Sequence, residues 1–172
     1  QVGSPKLDLI KLTIQRETAE KEEECQDAYT MACELLKKFR EHADQVSDKD
    51  MAEMYYEIAR CSRGIDQHQE ALKYIQEACR LHMDKLYRWI RANTLADLKE
   101  YDKAMEDYLI CAKEYGDNEV VYENMARCYE NMGNWRKAVY YLKKTLKVNP
   151  ENPRANSRIV DVLTDRLKAT GN

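Results

Sequence analysis

Apolar residues return along this chain with the period of a helix, and whole stretches of that pattern recur in one register. Within residues 121–150, Tyr122, Met125, Ala126 and Tyr129 stand three or four apart, the spacing that lines one face of an α-helix. Met132, Gly133 and Asn134 interrupt the stripe as a turn, and Ala138, Tyr141, Leu142, Thr145 and Leu146 then form a second one. Pro150 and Pro153 end it, because a proline pushes the residue before it out of helical backbone. The segment reads as two helices joined by a tight turn.

The same pattern recurs at a fixed distance. Ala71, Ala104 and Ala138 are 33 and 34 residues apart. So are Ala59, Ala92 and Ala126; so are His68, Tyr101 and Trp135, and Ile75, Tyr108 and Leu142. Four columns in one register define three units, 52–84, 85–118 and 119–152. The alanines are predicted where the two helices of a unit cross, since only a short side chain lets the axes approach. A bulky residue there costs about 1–3 kcal/mol through overpacking. The second unit departs from its neighbours: Lys99 stands where the third has Gly133, and Arg91 where it has Met125, so this unit is expected to bend differently.

Residues 153–172 open a further helix in which Val160 and Leu163 continue the columns of Ala126 and Tyr129; it is expected as a capping helix or the start of a further repeat. Residues 1–51 are less regular. Ala28, Ala32, Leu35, Leu36, Phe39 and Ala43 predict a long amphipathic helix, preceded by an apolar stretch at 7–14 and an acidic one at 20–24. Their register does not join the columns, and they read as a divergent N-terminal helical pair or cap over the open end of the stack.

The columns, and above all residues 121–150, VYENMARCYENMGNWRKAVYYLKKTLKVNP, resemble the tetratricopeptide repeat family over roughly residues 52–172. That resemblance implies an all-α fold, a right-handed superhelical stack of antiparallel helix pairs, or α-solenoid, in which the first helix of each pair lines a concave groove. Residues facing such a groove are expected to include Tyr56, Arg60, Arg63, Leu86, Trp89, Asn93, Asn124, Arg127, Arg154 and Arg158. For Trp89, packing against the preceding unit is an equal alternative to a place in the groove. Arginine, asparagine and aromatic residues together suit an extended acidic peptide, because a guanidinium donates fork-wise to carboxylates. Glu53, Glu57, Glu123 and Glu130 dilute that positive field.

Co-chaperones of the family hold the C-terminal carboxylate of heat-shock chaperones in a carboxylate clamp of Lys, two Asn, a Lys or Arg and an Arg. Carried over, that pattern places Asn93 and Asn124 as the amide pair and Arg154 and Arg158 as the cationic pair, with Trp89 in place of the clamp lysine.

Composition narrows the function further. The 172 residues carry a net charge of -3, which gives no general attraction to phosphate backbones, so no nucleic-acid partner is expected. No apolar run is long enough to cross a bilayer, and no membrane partner is expected. Six cysteines fall inside helical patterns with no Cys-x-x-Cys pair and no histidine at zinc-ligand spacing; they read as reduced thiols in a reducing, cytoplasmic setting, with neither metal nor cofactor. The chain starts Gln-Val-Gly-Ser and reads as a segment of a longer protein. His42 lies ahead of the repeats and His68 and His82 in the first of them, without a nucleophile placed beside them by the pattern, so catalysis is not expected. The function that remains is a scaffold or adaptor binding a peptide segment of a partner protein. A carboxylate clamp for acidic chaperone tails is the first alternative, and structural or dimerisation repeats of a larger protein the second.

Overall fold

The computed structural model describes residues 4–171. They pack as two compact units, one ending at Leu98 and one beginning at Lys99. Among the described residues all regular structure is helical.

The first unit holds α1 (Pro5–Thr18), α2 (Glu22–Glu41), a single 3-10 turn (Ala43–Gln45), α3 (Asp48–Gly64), α4 (His68–Leu81) and α5 (Lys85–Asp97). The second holds α6 (Tyr101–Tyr115), α7 (Glu119–Asn131), α8 (Trp135–Val148) and α9 (Pro153–Ala169). Helix α3 starts at Asp48, four residues ahead of the boundary expected at 52, because Ser47 caps it: the Ser47 hydroxyl accepts from the Asp50 amide at 3.1 Å. Further on, the caps themselves follow the repeat. Asp84, Asn118 and Asn152 each accept a backbone N–H at the start of α5, α7 and α9, and α9 adds Pro153 in its first turn.

The column residues form the cores of the two units. Ala59, Ala92 and Ala126, then Ala71, Ala104 and Ala138, then Ile75, Tyr108 and Leu142, are all 0% exposed. His68, Tyr101 and Trp135 are the first residues of α4, α6 and α8, so that column marks where each second helix begins. In the first unit Leu9 and Leu12 of α1 join Leu35, Leu36 and Phe39 of α2 and Met54, Ile58 and Cys61 of α3 in one cluster. In the second, Ala126 of α7, Leu142 of α8 and Ala155 of α9 meet at a single point.

The turns between paired helices use left-handed backbone. Asp66, Lys99 and Gly133 have φ of 59°, 62° and 73°, at equivalent places in the three repeats. At two of them the chain closes in the same way: Asn134 N–H donates to Tyr129 C=O and Gln67 N–H to Ser62 C=O, the long hydrogen bond of a glycine-type helix end. Lys99 therefore adopts the conformation expected of the glycine it replaces.

One ion pair ties α1 to α3. Arg16 Nε donates to Glu57 Oε2 at 2.7 Å, with only 10% and 4% of the two side chains exposed. Burial opposes the charge on Arg16, but the hydrogen bond and charge of Glu57 outweigh it and hold the guanidinium more firmly protonated than usual. No helix of the described residues is long and apolar enough to cross a membrane.

Candidate functional site

The expected groove residues divide between the two units. Tyr56, Arg60, Trp89 and Asn93 belong to the first, and Asn124, Arg127, Arg154 and Arg158 to the second.

In the first unit, Tyr56 is buried on α3 and its ring stacks on Tyr87 of α5, with centroids 5.0 Å apart. Arg60, one turn further along α3 and half-buried, donates from Nη1 to the Tyr56 hydroxyl at 2.8 Å, and its guanidinium carbon lies 5.7 Å from the ring centre. Trp89 and Asn93, four residues apart on α5, are both half-buried. Arg63 is committed elsewhere: its Nε and Nη2 both donate to Oδ2 of Asp97, at 3.0 and 2.7 Å. His68 Nδ1 sits 3.6 Å from that same oxygen. Leu86 is exposed at the start of α5.

In the second unit, the Asn124 side chain serves its own helix. It donates to Val120 C=O at 3.0 Å and accepts from Arg127 Nη2 at 2.6 Å. Arg127 on α7 and Arg154 on α9 are exposed. Arg158 forks onto Glu130 of α7, Nε to Oε1 at 3.1 Å and Nη2 to Oε2 at 2.7 Å. The start of α9 is fixed by amides as well: Asn152 and Asn149 donate to Glu119 Oε2 at 2.9 and 2.8 Å. Those bonds hold the Glu119 carboxyl below its usual range.

Three of the four glutamates expected to dilute the positive field are thus engaged. Glu57 is buried under Arg16, Glu130 is gripped by Arg158, and Glu123 accepts from Asn152. The periodicity does not point to Arg16 or Asp97 as partners, and it places Glu130 near the groove only as a diluting charge. The available signal was opposite charge across neighbouring helix pairs: Arg63 and Asp97 are 34 residues apart, and Glu130 and Arg158 are 28 apart.

The thiols are quiet. Cys61, Cys79, Cys111 and Cys128 are buried, and burial pushes Cys61 up to about 12 and Cys128 up to about 11. Among the described residues no group of three or more His, Cys, Asp or Glu is placed to hold a metal ion.

Comparison with known proteins gives the following. Family profiles described as tetratricopeptide repeat match residues 52–81 and 120–152. No curated protein matches the chain in sequence. Among solved structures, MamA (41-end) from Desulfovibrio magneticus RS-1 superposes with a TM-score of 0.78 at 13% identity, over 96% of this chain and 88% of that one. YrrB, described as a TPR protein with an unusual peptide-binding site, gives 0.67 at 20% identity, over 79% and 66%. The Yersinia enterocolitica type III secretion chaperone SycD, solved with a peptide of the translocator YopD, gives 0.61 at 18% identity, over 68% and 95%.

Proposed function

We propose, from the premise that the chain belongs to the tetratricopeptide repeat family, that it is a protein-interaction scaffold which captures an acidic peptide segment of a partner protein. Family members act as interaction modules rather than catalysts, and two structural neighbours carry a peptide or a peptide-binding site in their descriptions.

The observation that carries the acidic choice is how the arginines are spent. Arg16, Arg63 and Arg158 are each paired with a carboxylate of the chain itself. Arg60 and Arg127 hydrogen-bond only neutral groups, Tyr56 and Asn124, among the described residues, and Arg154 is exposed on α9. A guanidinium bonded to a phenol or an amide keeps its charge uncompensated, and a partner's Asp or Glu supplies the missing carboxylate. Tyr56 is buried against Tyr87 and serves by holding Arg60, while the half-buried Trp89 suits an apolar side chain between the acidic ones. Reduced, buried thiols suit a reducing, cytoplasmic compartment.

Titration with an extended acidic peptide, followed by fluorescence or calorimetry, tests this reading. Salt-sensitive binding is expected, weakened several-fold by Arg60→Glu or Arg127→Glu. No binding by wild type, or binding indifferent to both reversals, sinks it.

One observation favours the carboxylate clamp as a second reading: Arg158 already holds a carboxylate, that of Glu130, in the fork geometry a peptide terminus needs. A peptide ending in Glu-Glu-Val-Asp must then outcompete the same peptide with an amidated C-terminus, and Arg158→Glu must abolish the difference.

A further inference from the structure

Beside the turn that joins α1 to α2, the first unit leaves a cavity of about 180 Å³. Arg16 from the last turn of α1, Cys25 and Ala28 from the start of α2, and Arg60, Cys61 and Gly64 from the end of α3 line it. At roughly 30 Å³ for each water in the liquid, the space admits one short side chain. Its uncharged lining is small: Ala28 and Cys61 are buried, and Gly64 brings no side chain at all. A Cβ placed on Gly64 would meet Cys25, 3.9 Å from its Cβ and 4.0 Å from its Sγ, so a larger residue there occupies the space beside that thiol.

The charged part of the lining is cationic. Arg60, half-buried, hydrogen-bonds only the neutral Tyr56 hydroxyl among the described residues. Arg16 gives Nε to Glu57, and its Nη2 lies 3.4 Å from Glu17, whose side chain is 61% exposed. A guanidinium carries five N–H donors, so both arginines keep donors to spare. Buried Glu57 balances one of the two charges, and Glu17 stands out in water. One positive charge beside a small cavity matches a singly charged carboxylate. A phosphate group, close to doubly charged at neutral pH, would leave an excess of negative charge in a partly closed space.

We propose that this cavity is the socket for one acidic side chain of the captured peptide, with its carboxylate held by Arg60 and Arg16 and its methylenes against Cys25, Ala28 and Cys61. The assignment rests on the peptide-capture reading above and gives it a defined place, built partly from Arg16, Cys25 and Gly64, which lie outside the expected groove set. Cys25 reports whether the socket is filled, because it is half-buried on the cavity wall. Cys61 beside it is buried and its thiol is pushed up to about 12, so an alkylating reagent reaches Cys25 first. Cys33, also half-buried on α2, lines a different cavity with Lys37 and Arg40 and serves as the internal reference.

The rate at which iodoacetamide alkylates Cys25, read by mass spectrometry on the whole chain, tests this. Saturating acidic peptide is expected to slow Cys25 several-fold and to leave Cys33 unchanged. The same peptide with every Asp and Glu replaced by Asn and Gln is expected to protect neither. Acetate is expected to slow Cys25 where chloride of equal ionic strength does not. Arg60→Gln is expected to lose both protections. Gly64→Leu fills the cavity and leaves both arginines in place, and it is expected to weaken the peptide several-fold in titration; circular dichroism checks that both variants keep the wild-type helix content. Cys25 alkylated at one rate with and without acetate and peptide overturns the socket. So does equal slowing of Cys33, undiminished peptide binding by folded Gly64→Leu, or stronger protection by inorganic phosphate than by acetate. The two readings fail separately: a peptide that binds in titration but leaves Cys25 unprotected removes the socket and keeps peptide capture, whereas acetate protection without any peptide binding keeps the carboxylate site and removes peptide capture.

Discussion

Arg158 of α9 holds both carboxylate oxygens of Glu130 on α7, at 3.1 and 2.7 Å. The pair joins one helix pair to the next and leaves the guanidinium already engaged, so under the proposed function a peptide carboxylate competes with Glu130. Glu130→Gln is expected to raise affinity for an acidic peptide several-fold by releasing that competition. Its effect on stability is expected to stay within about 1 kcal/mol, because both side chains keep contact with water. Peptide titration beside a denaturant melt separates the two quantities.

The pair between Arg16 and Glu57 is a different case, since both side chains are nearly closed off from solvent. Arg16→Met leaves Glu57 charged and buried without its partner, at a cost of about 3–5 kcal/mol. Replacing both, Arg16→Met with Glu57→Leu, is expected to recover most of that loss, because no lone charge remains buried. Chemical denaturation of the two variants checks it; equal losses in both would mean that α1 depends on the charge pair itself.

Lys99 occupies left-handed backbone at φ 62°, where its repeat counterpart is Gly133 at φ 73°. A side chain with a Cβ costs roughly 1–2 kcal/mol there, so Lys99→Gly is expected to stabilise the protein by about 1 kcal/mol after the added freedom of the unfolded chain is subtracted. Gly133→Ala is expected to destabilise by a similar amount. Shifts of the urea midpoint in opposite directions are the readout.

Acid sensitivity should trace in part to Glu119. Hydrogen bonds from Asn152 and Asn149 hold its carboxyl below the ordinary 4.5 in the folded state. The folded-state value is the lower one, so its stabilisation is complete above the ordinary value and is lost as pH falls through the lowered one. Thermal midpoints measured from neutral pH downward are expected to fall less steeply in Glu119→Gln than in wild type over that acid window. Parallel curves would remove Glu119 from the account.

The candidate site was less legible than the fold. Tyr56 and Arg60 were read four apart on one helix, and that local spacing is what lets the guanidinium reach the phenol. Asn124 and Arg127 meet for the same reason, three apart on α7. The N-terminal pair escaped the columns because α2 runs 20 residues, against 14 for α4 and α8, and a 3-10 turn follows it. Contacts there bridge 41 residues, as in Arg16 to Glu57 and Tyr29 to Glu70, a distance foreign to the 33 and 34 of the repeats.

The chain's own order of residues determined the helices, their turns and the residues that meet inside each pair, because those features depend on neighbours three, four or one turn away. The nine fully buried residues in three columns were all marked by periodicity alone. Which arginines are paired with carboxylates of the chain itself was decided only by tertiary packing. Arg63 reaches Asp97 and Arg158 reaches Glu130 once one helix pair is seated on the next, and that seating depends on the angle and rise between pairs, which no run of neighbouring residues encodes.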